Sequence, residues 1–218
     1  MLTATRVFAL LTIVGFSPPA IHVAQAENVA REFFKAAPAT LFYTEDEMSE
    51  EDKAALIKAG FTRAKSFDCS AWGVAEETSS TLVLQYCADS SVTVRSYRVP
   101  ARPDESVIVL QSSRSSGHAN DLSVFRFKKG QQAFVALLQE ELSKLGIDRL
   151  TENDFLEPEQ RFALDEARTV GLELSEKGEL LGRLITWMDP RWEHRKEAFS
   201  VKFVWSEGRF KRVREKVG

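Results

Sequence analysis

Four runs decide the fold: Leu82-Val83-Leu84-Gln85-Tyr86-Cys87, Val92-Thr93-Val94-Arg95-Ser96-Tyr97-Arg98-Val99, Ser106-Val107-Ile108-Val109-Leu110-Gln111 and Leu122-Ser123-Val124-Phe125-Arg126-Phe127. Each is rich in β-branched and aromatic residues, and each is bounded by Asp, Ser, Pro or Gly. That is the pattern of successive strands joined by short turns. Residues 67–128 therefore read as an antiparallel β-meander.

The only cysteines, Cys69 and Cys87, flank the turn-like run Glu76-Glu77-Thr78-Ser79-Ser80 symmetrically. A hairpin folded about Thr78 places Cys69 opposite Cys87 and Trp72 opposite Leu84. It also sorts the faces: Trp72, Val74, Leu82, Leu84 and Tyr86 share an apolar side, and the cysteines share the other with Ala71, Gly73 and Gln85. A Cys69–Cys87 disulfide is the expectation. A redox-active pair is the weaker reading, because Cys-x-x-Cys spacing is absent.

Before the meander the period is helical. Val29, Phe33 and Ala36 recur at turn spacing, Pro38 interrupts, and Ser49 with Asp52 resembles a capping box that opens a helix over 50–59, stopped by Gly60. After Gly130 the stripe Phe134, Leu137, Leu138, Leu142 and Leu145 predicts an amphipathic helix over 131–145, closed by Gly146. Thr151 and Asp154 suggest a further capping box, and Pro158 suits the first residue of a helix over 158–167.

A second β region follows. Leu172 and Leu174 alternate into a Glu176-Lys177-Gly178 turn, Leu180 to Met188 returns, and Phe199 to Trp205 alternates before a turn at Glu207-Gly208 that sets Trp205 opposite Phe210. The two β regions share a Leu/Phe-Ser-Val run leading to Gly and then Phe, with a spacing offset and no wider identity, a likeness that fits an internal duplication or the chance resemblance of alternating strands ending in a Gly turn. The predicted fold class is α+β: an antiparallel β-meander and a second antiparallel sheet region, packed by short helices as one unit. The chain divides into a signal peptide at 1–26, a first part at 27–147 and a second at 148–218.

The signal reading rests on Arg6, the apolar run Val7 to Phe16, the Pro18-Pro19 break and the exit Ala24-Gln25-Ala26. An apolar run of about ten residues is half of what a membrane-spanning helix needs, so cleavage after Ala26 and a periplasmic or secreted location are expected. Loss of Arg6 leaves 28 basic side chains against 32 acidic ones, a net charge of −4. That balance argues against nucleic acid as a partner. The one basic concentration, Arg209 to Lys216, reads as a solvated terminal strand. No later segment is apolar for long enough to predict a transmembrane helix in the mature chain.

Two segments invite chemistry. In Ser112-Ser113-Arg114-Ser115-Ser116-Gly117-His118-Ala119-Asn120-Asp121, a hydrolase would use Ser115 or Ser116 as nucleophile, His118 as base and Asp121 to orient it. Residues so close in sequence rarely converge as a triad, and Gly-x-Ser-x-Gly is missing. In Trp187-Met188-Asp189-Pro190-Arg191-Trp192-Glu193-His194-Arg195, a metal reading of Asp189, Glu193 and His194 lacks ligand spacing. Recognition fits better: Arg191, Trp192 and His194 are the candidate binding residues, with Trp and Arg the types that most often anchor interfaces. No cofactor motif is present. The leading functional reading is a non-catalytic exported protein that binds another protein or a cell-envelope component, an inhibitor or immunity-type protein being one concrete form. The alternative is a periplasmic hydrolase acting through the Ser112–Asp121 loop.

Overall fold

The computed structural model describes residues 28–44, 47–113, 121–157, 168–186 and 197–217. The signal segment, the predicted helix over 158–167, and the residues Ser115, Ser116, His118, Arg191, Trp192 and His194 lie outside the described residues.

Helix α1 (Val29–Ala36) begins at Asn28, whose side chain accepts the Arg31 N–H, and α2 (Glu50–Lys58) begins at Ser49, whose hydroxyl accepts the Asp52 N–H at 3.0 Å. Gly60, with φ +66°, ends the second helix as the sequence predicts. Six antiparallel strands follow in chain order: β1 (Asp68–Glu77), β2 (Thr81–Cys87), β3 (Ser90–Arg98), β4 (Glu105–Ser113), β5 (Asp121–Lys128) and β6 (Ala133–Ala136). A short helix α3 (Gln139–Lys144) leads on to a second sheet of β7 (Arg168–Leu174), β8 (Leu180–Thr186), β9 (Phe199–Ser206) and β10 (Arg209–Lys216), in the order β10-β9-β8-β7. The α+β reading, with one meander and a second antiparallel sheet, is the observed architecture.

The meander is a middle layer with a core on each side. Alternation sends Val92, Val94, Ile108, Leu110, Phe125 and Phe127 to the face covered by α1 and α2, where Phe33, Phe34 and Phe42 are fully buried. Tyr97, Val107, Val109 and Val124 point the other way, toward Leu180, Val201, Phe203 and Phe210 of the second sheet. Strand β4 is buried on both faces along nearly its whole length. That explains why it reads as an unbroken apolar run.

Two expectations need correction. The stripe over 131–145 is not one helix: Gln132 takes a left-handed conformation (φ +47°), the chain reverses, and Phe134 pairs with Phe127 in strand β6, which leaves helix only over Gln139–Lys144. Phe134 gains ring contacts with Phe33 (5.6 Å) and Phe125 (5.9 Å), so tertiary packing overrides the local period. The hairpin register is also displaced. The disulfide Cys69–Cys87 is present with its Cα atoms 4.5 Å apart, but Asp68, not Cys69, faces Cys87, and Val74, not Trp72, faces Leu84. The turn lies beyond Thr78: its N–H donates to the Thr81 carbonyl at 2.9 Å, and its hydroxyl accepts the Thr81 N–H at 3.1 Å. Irregularities in β1, one of them at Cys69 with φ +64°, absorb the offset. The face assignment survives: Trp72, Val74, Leu82 and Leu84 are buried under the helices, with Tyr86 stacked on Trp72.

The terminal hairpin forms as read. Glu207 (φ +55°) and Gly208 (φ +83°) make the two-residue turn, and Trp205 pairs with Phe210.

Candidate binding cleft

The segment that connects the two sheets builds one wall of a cleft. Leu137, Leu145, Ile147 and Leu150 are buried and anchor it to the second core. Where α3 ends, Gly146 (φ +84°) passes against the backbone of Phe210, whose N–H donates to the Leu145 carbonyl at 2.7 Å. The basic strand β10 then holds the far end of the wall: Arg212 pairs with the Asp154 carboxylate, and Arg214 donates to the Asp154 carbonyl at 2.9 Å. Lys211 pairs with Glu207 and Lys216 with Glu157. The basic run is a solvated edge strand with acidic partners, in keeping with its sequence reading.

The predicted Thr151–Asp154 cap exists, on a single 3-10 turn: the Thr151 N–H donates to the Asp154 carboxylate at 2.7 Å. Partial burial pushes the Asp154 carboxyl up, but the Thr151 amide and Arg212 outweigh it and hold the group below the usual carboxylate range. A carboxyl with a lowered folded pKa stabilises the fold at pH values above its unfolded pKa, and that contribution is lost as pH falls through the folded pKa. Asp154→Ala is accordingly expected to cost about 1 kcal/mol near neutral pH, as for loss of a cap. In denaturant titrations the gap between the two proteins should close as the solution is acidified below the ordinary aspartate range.

Between this wall and strand β7 lies a cleft of about 750 Å³. Leu142, Ile147, Leu150, Val170 and Leu172 give it an apolar floor, and Asp148, Arg149 and Thr151 give it a polar rim. A smaller recess of about 490 Å³ opens where the β7–β8 turn meets the meander, next to Arg95. Here the sheets are tied together: Arg95 donates to the Glu176 and Lys177 carbonyls, the Tyr97 hydroxyl to the Gly178 carbonyl at 2.8 Å, and the Leu174 N–H to the Gln111 side-chain oxygen. Burial pushes the Tyr97 hydroxyl far above its ordinary pKa, which marks a structural group held neutral.

Of the residues read as sites from sequence, the structure places Cys69 and Cys87 in their bond, and Ser112 and Asp121 opposite each other as the last pair of the β4–β5 ladder. Ser112 is buried, and Asp121 accepts from the Tyr43 hydroxyl at 3.2 Å. The candidate binding residues Arg191, Trp192 and His194 fall in 187–196, outside the described residues. The cleft itself was not found by motif reading. Val170 and Leu172 were legible as part of a strand, but which strand forms a sheet edge is fixed by topology.

No helix among the described residues is long and apolar enough to cross a membrane. No family model matches the chain, and no curated protein matches it. Among solved structures, the chain is similar to a domain of an uncharacterized protein from Porphyromonas gingivalis W83, with a TM-score of 0.52 and 14% identity over 85% of this chain and 98% of that one. At that identity the likeness bears on the fold alone: the layered arrangement of meander, helices and second sheet is a scaffold that this chain shares with another.

Proposed function

We propose that the chain is exported behind a signal peptide cleaved after Ala26 and acts in the periplasm or outside the cell as a non-catalytic binding protein. Its partner is another protein or a cell-envelope component, as for an inhibitor or immunity-type protein. The observation that carries this reading is the cleft of about 750 Å³ between the 139–153 wall and β7, with its apolar floor and polar rim. The disulfide adds support, since such bonds persist in oxidising compartments. Arg191, Trp192 and His194, which follow β8 in the sequence, are the side chains we propose for contact with the partner, on the strength of their residue types.

The test is capture from an envelope fraction by the mature chain starting at Glu27. A protein or envelope component retained by the wild type should be lost both by the Arg191→Ala/Trp192→Ala/His194→Ala triple variant and by Leu172→Glu, which puts a charge on the cleft floor. Equal retention by all three proteins would overturn the proposal.

A further inference from the structure

The outer edge of β7 carries hydrogen-bonding groups that no neighbour uses among the described residues. In an antiparallel strand, successive residues direct their N–H and C=O alternately to the two sides. The Ser175 N–H donates to the Glu179 carbonyl at 2.9 Å, on the β8 side, whereas the Leu174 N–H turns away from β8 to Gln111. By the same alternation Gly171 and Glu173 bond to β8, and Val170 and Leu172 direct their N–H and C=O outward. β7 is the last strand of its sheet, and both residues line the cleft. Among the described residues, neither backbone nor side chain meets these outward groups.

The other edges are closed or blunted. At the opposite edge of the same sheet, β10 presents Lys211, Arg212, Arg214 and Lys216, and charged residues of this kind discourage strand pairing. The β1 edge is occupied by the Ala64 N–H, which donates to Val74. β6 is four residues long. Val170-Gly171-Leu172 has no charge to repel an incoming strand.

We infer that the cleft is a strand-accepting groove, in which an extended segment of a partner protein pairs with Val170 and Leu172 as a fifth strand of the second sheet. The inference rests on the binding reading above and gives it a partner chemistry. Two N–H/C=O pairs spaced two residues apart, about 6.8 Å along a strand, match the repeat of an extended polypeptide backbone. Apolar side chains on alternate residues of that segment meet Leu142, Ile147 and Leu150. Gln111 already shows an amide taking the partner's place at the next outward position, Leu174. A second copy of this chain is the poorer occupant: the wall from Asp148 to Asn153 lines the open side of β7, where another whole sheet would have to lie.

The probe is a six-residue peptide of alternating Val and Thr, read by amide hydrogen exchange on the mature, disulfide-bonded protein. Without peptide, the Val170 and Leu172 amides should exchange fast and those of Gly171 and Glu173 slowly. With saturating peptide, the first two should slow by about tenfold or more, and the same peptide N-methylated at alternate amides should have no effect. Val170→Pro removes one outward donor and leaves the β8 ladder intact, so it should weaken the peptide about tenfold. Four results would overturn the inference: no protection with either peptide, equal protection with both, protection already present in the free monomer, or protection that follows protein concentration instead of peptide. If strand pairing fails while the Trp192 triple variant still loses its envelope partner, the strand groove is wrong and the binding function stands.

Discussion

Phe33→Ala is expected to destabilise the protein by about 3–5 kcal/mol. Phe33 is fully buried at the point where α1 meets the meander, with rings of Phe125 at 5.3 Å, Phe134 at 5.6 Å, Phe127 at 5.7 Å and Phe42 at 6.4 Å around it. Removing the ring takes transfer energy and leaves a cavity bounded by α1, the Phe42 segment and strands β5 and β6, which cannot all collapse inward. Small domains are typically stable by about 5–15 kcal/mol, so the loss is a large fraction of the total. Val135→Ala, one residue from Phe134 but 62% exposed, serves as the comparison and should change stability by less than about 0.5 kcal/mol. Urea titration of both variants checks the prediction.

Gly146→Ala is expected to cost about 2–4 kcal/mol, from two sources. The backbone there has φ +84°, a region in which a side chain is strained, and an added Cβ would lie 2.0 Å from the Phe210 carbonyl oxygen. Backbone cannot swing aside as a flexible side chain does, so the wall must lift from β10 or the Leu145–Phe210 hydrogen bond must break. Gly130→Ala introduces a Cβ with nothing within 4 Å and should be close to neutral. Because the wall bounds the cleft, Gly146→Ala should also weaken whatever the cleft binds, and Gly130→Ala should not.

Local chemistry made much of this fold legible. Ser49 and Gly60 mark the ends of α2 because a hydroxyl acceptor and a left-handed residue are what helix ends require, and Gly208 marks the last hairpin because a two-residue turn needs positive φ and glycine adopts it freely. The strand runs of the meander were visible for the same reason: β-branched residues between turn formers. The reading failed where distant contacts decide. The apolar residues from Phe134 to Leu145 fit a helical period, but Phe134 is drawn onto Phe125 across the β5–β6 hairpin and onto Phe33, 101 residues earlier in the chain, a contact no periodicity can reveal. In the first hairpin, symmetry of the cysteines gave the right bond and the right faces. The register was lost because the Thr78 hydroxyl moves the turn onward and Cys69 bulges. The cleft was out of reach for a related reason: its floor joins Leu142 and Ile147 to Val170 and Leu172, and strand order, which makes β7 an edge, is written nowhere in the local sequence.

The central structural claim is that the helices and the second sheet share the meander as one middle layer, with a buried core on each of its faces. Trp72 reports on the helix-side core and Trp205 packs against the second core, beside Tyr97 at 5.2 Å. The most direct measurement is urea unfolding of two variants, one retaining Trp72 and the other Trp205 as the single tryptophan, each followed by fluorescence and by far-ultraviolet circular dichroism. If the layers are one cooperative unit, the fluorescence and circular dichroism transitions coincide within each variant. Loss of the Trp205 signal at a urea concentration where the rest of the chain remains folded would contradict the account.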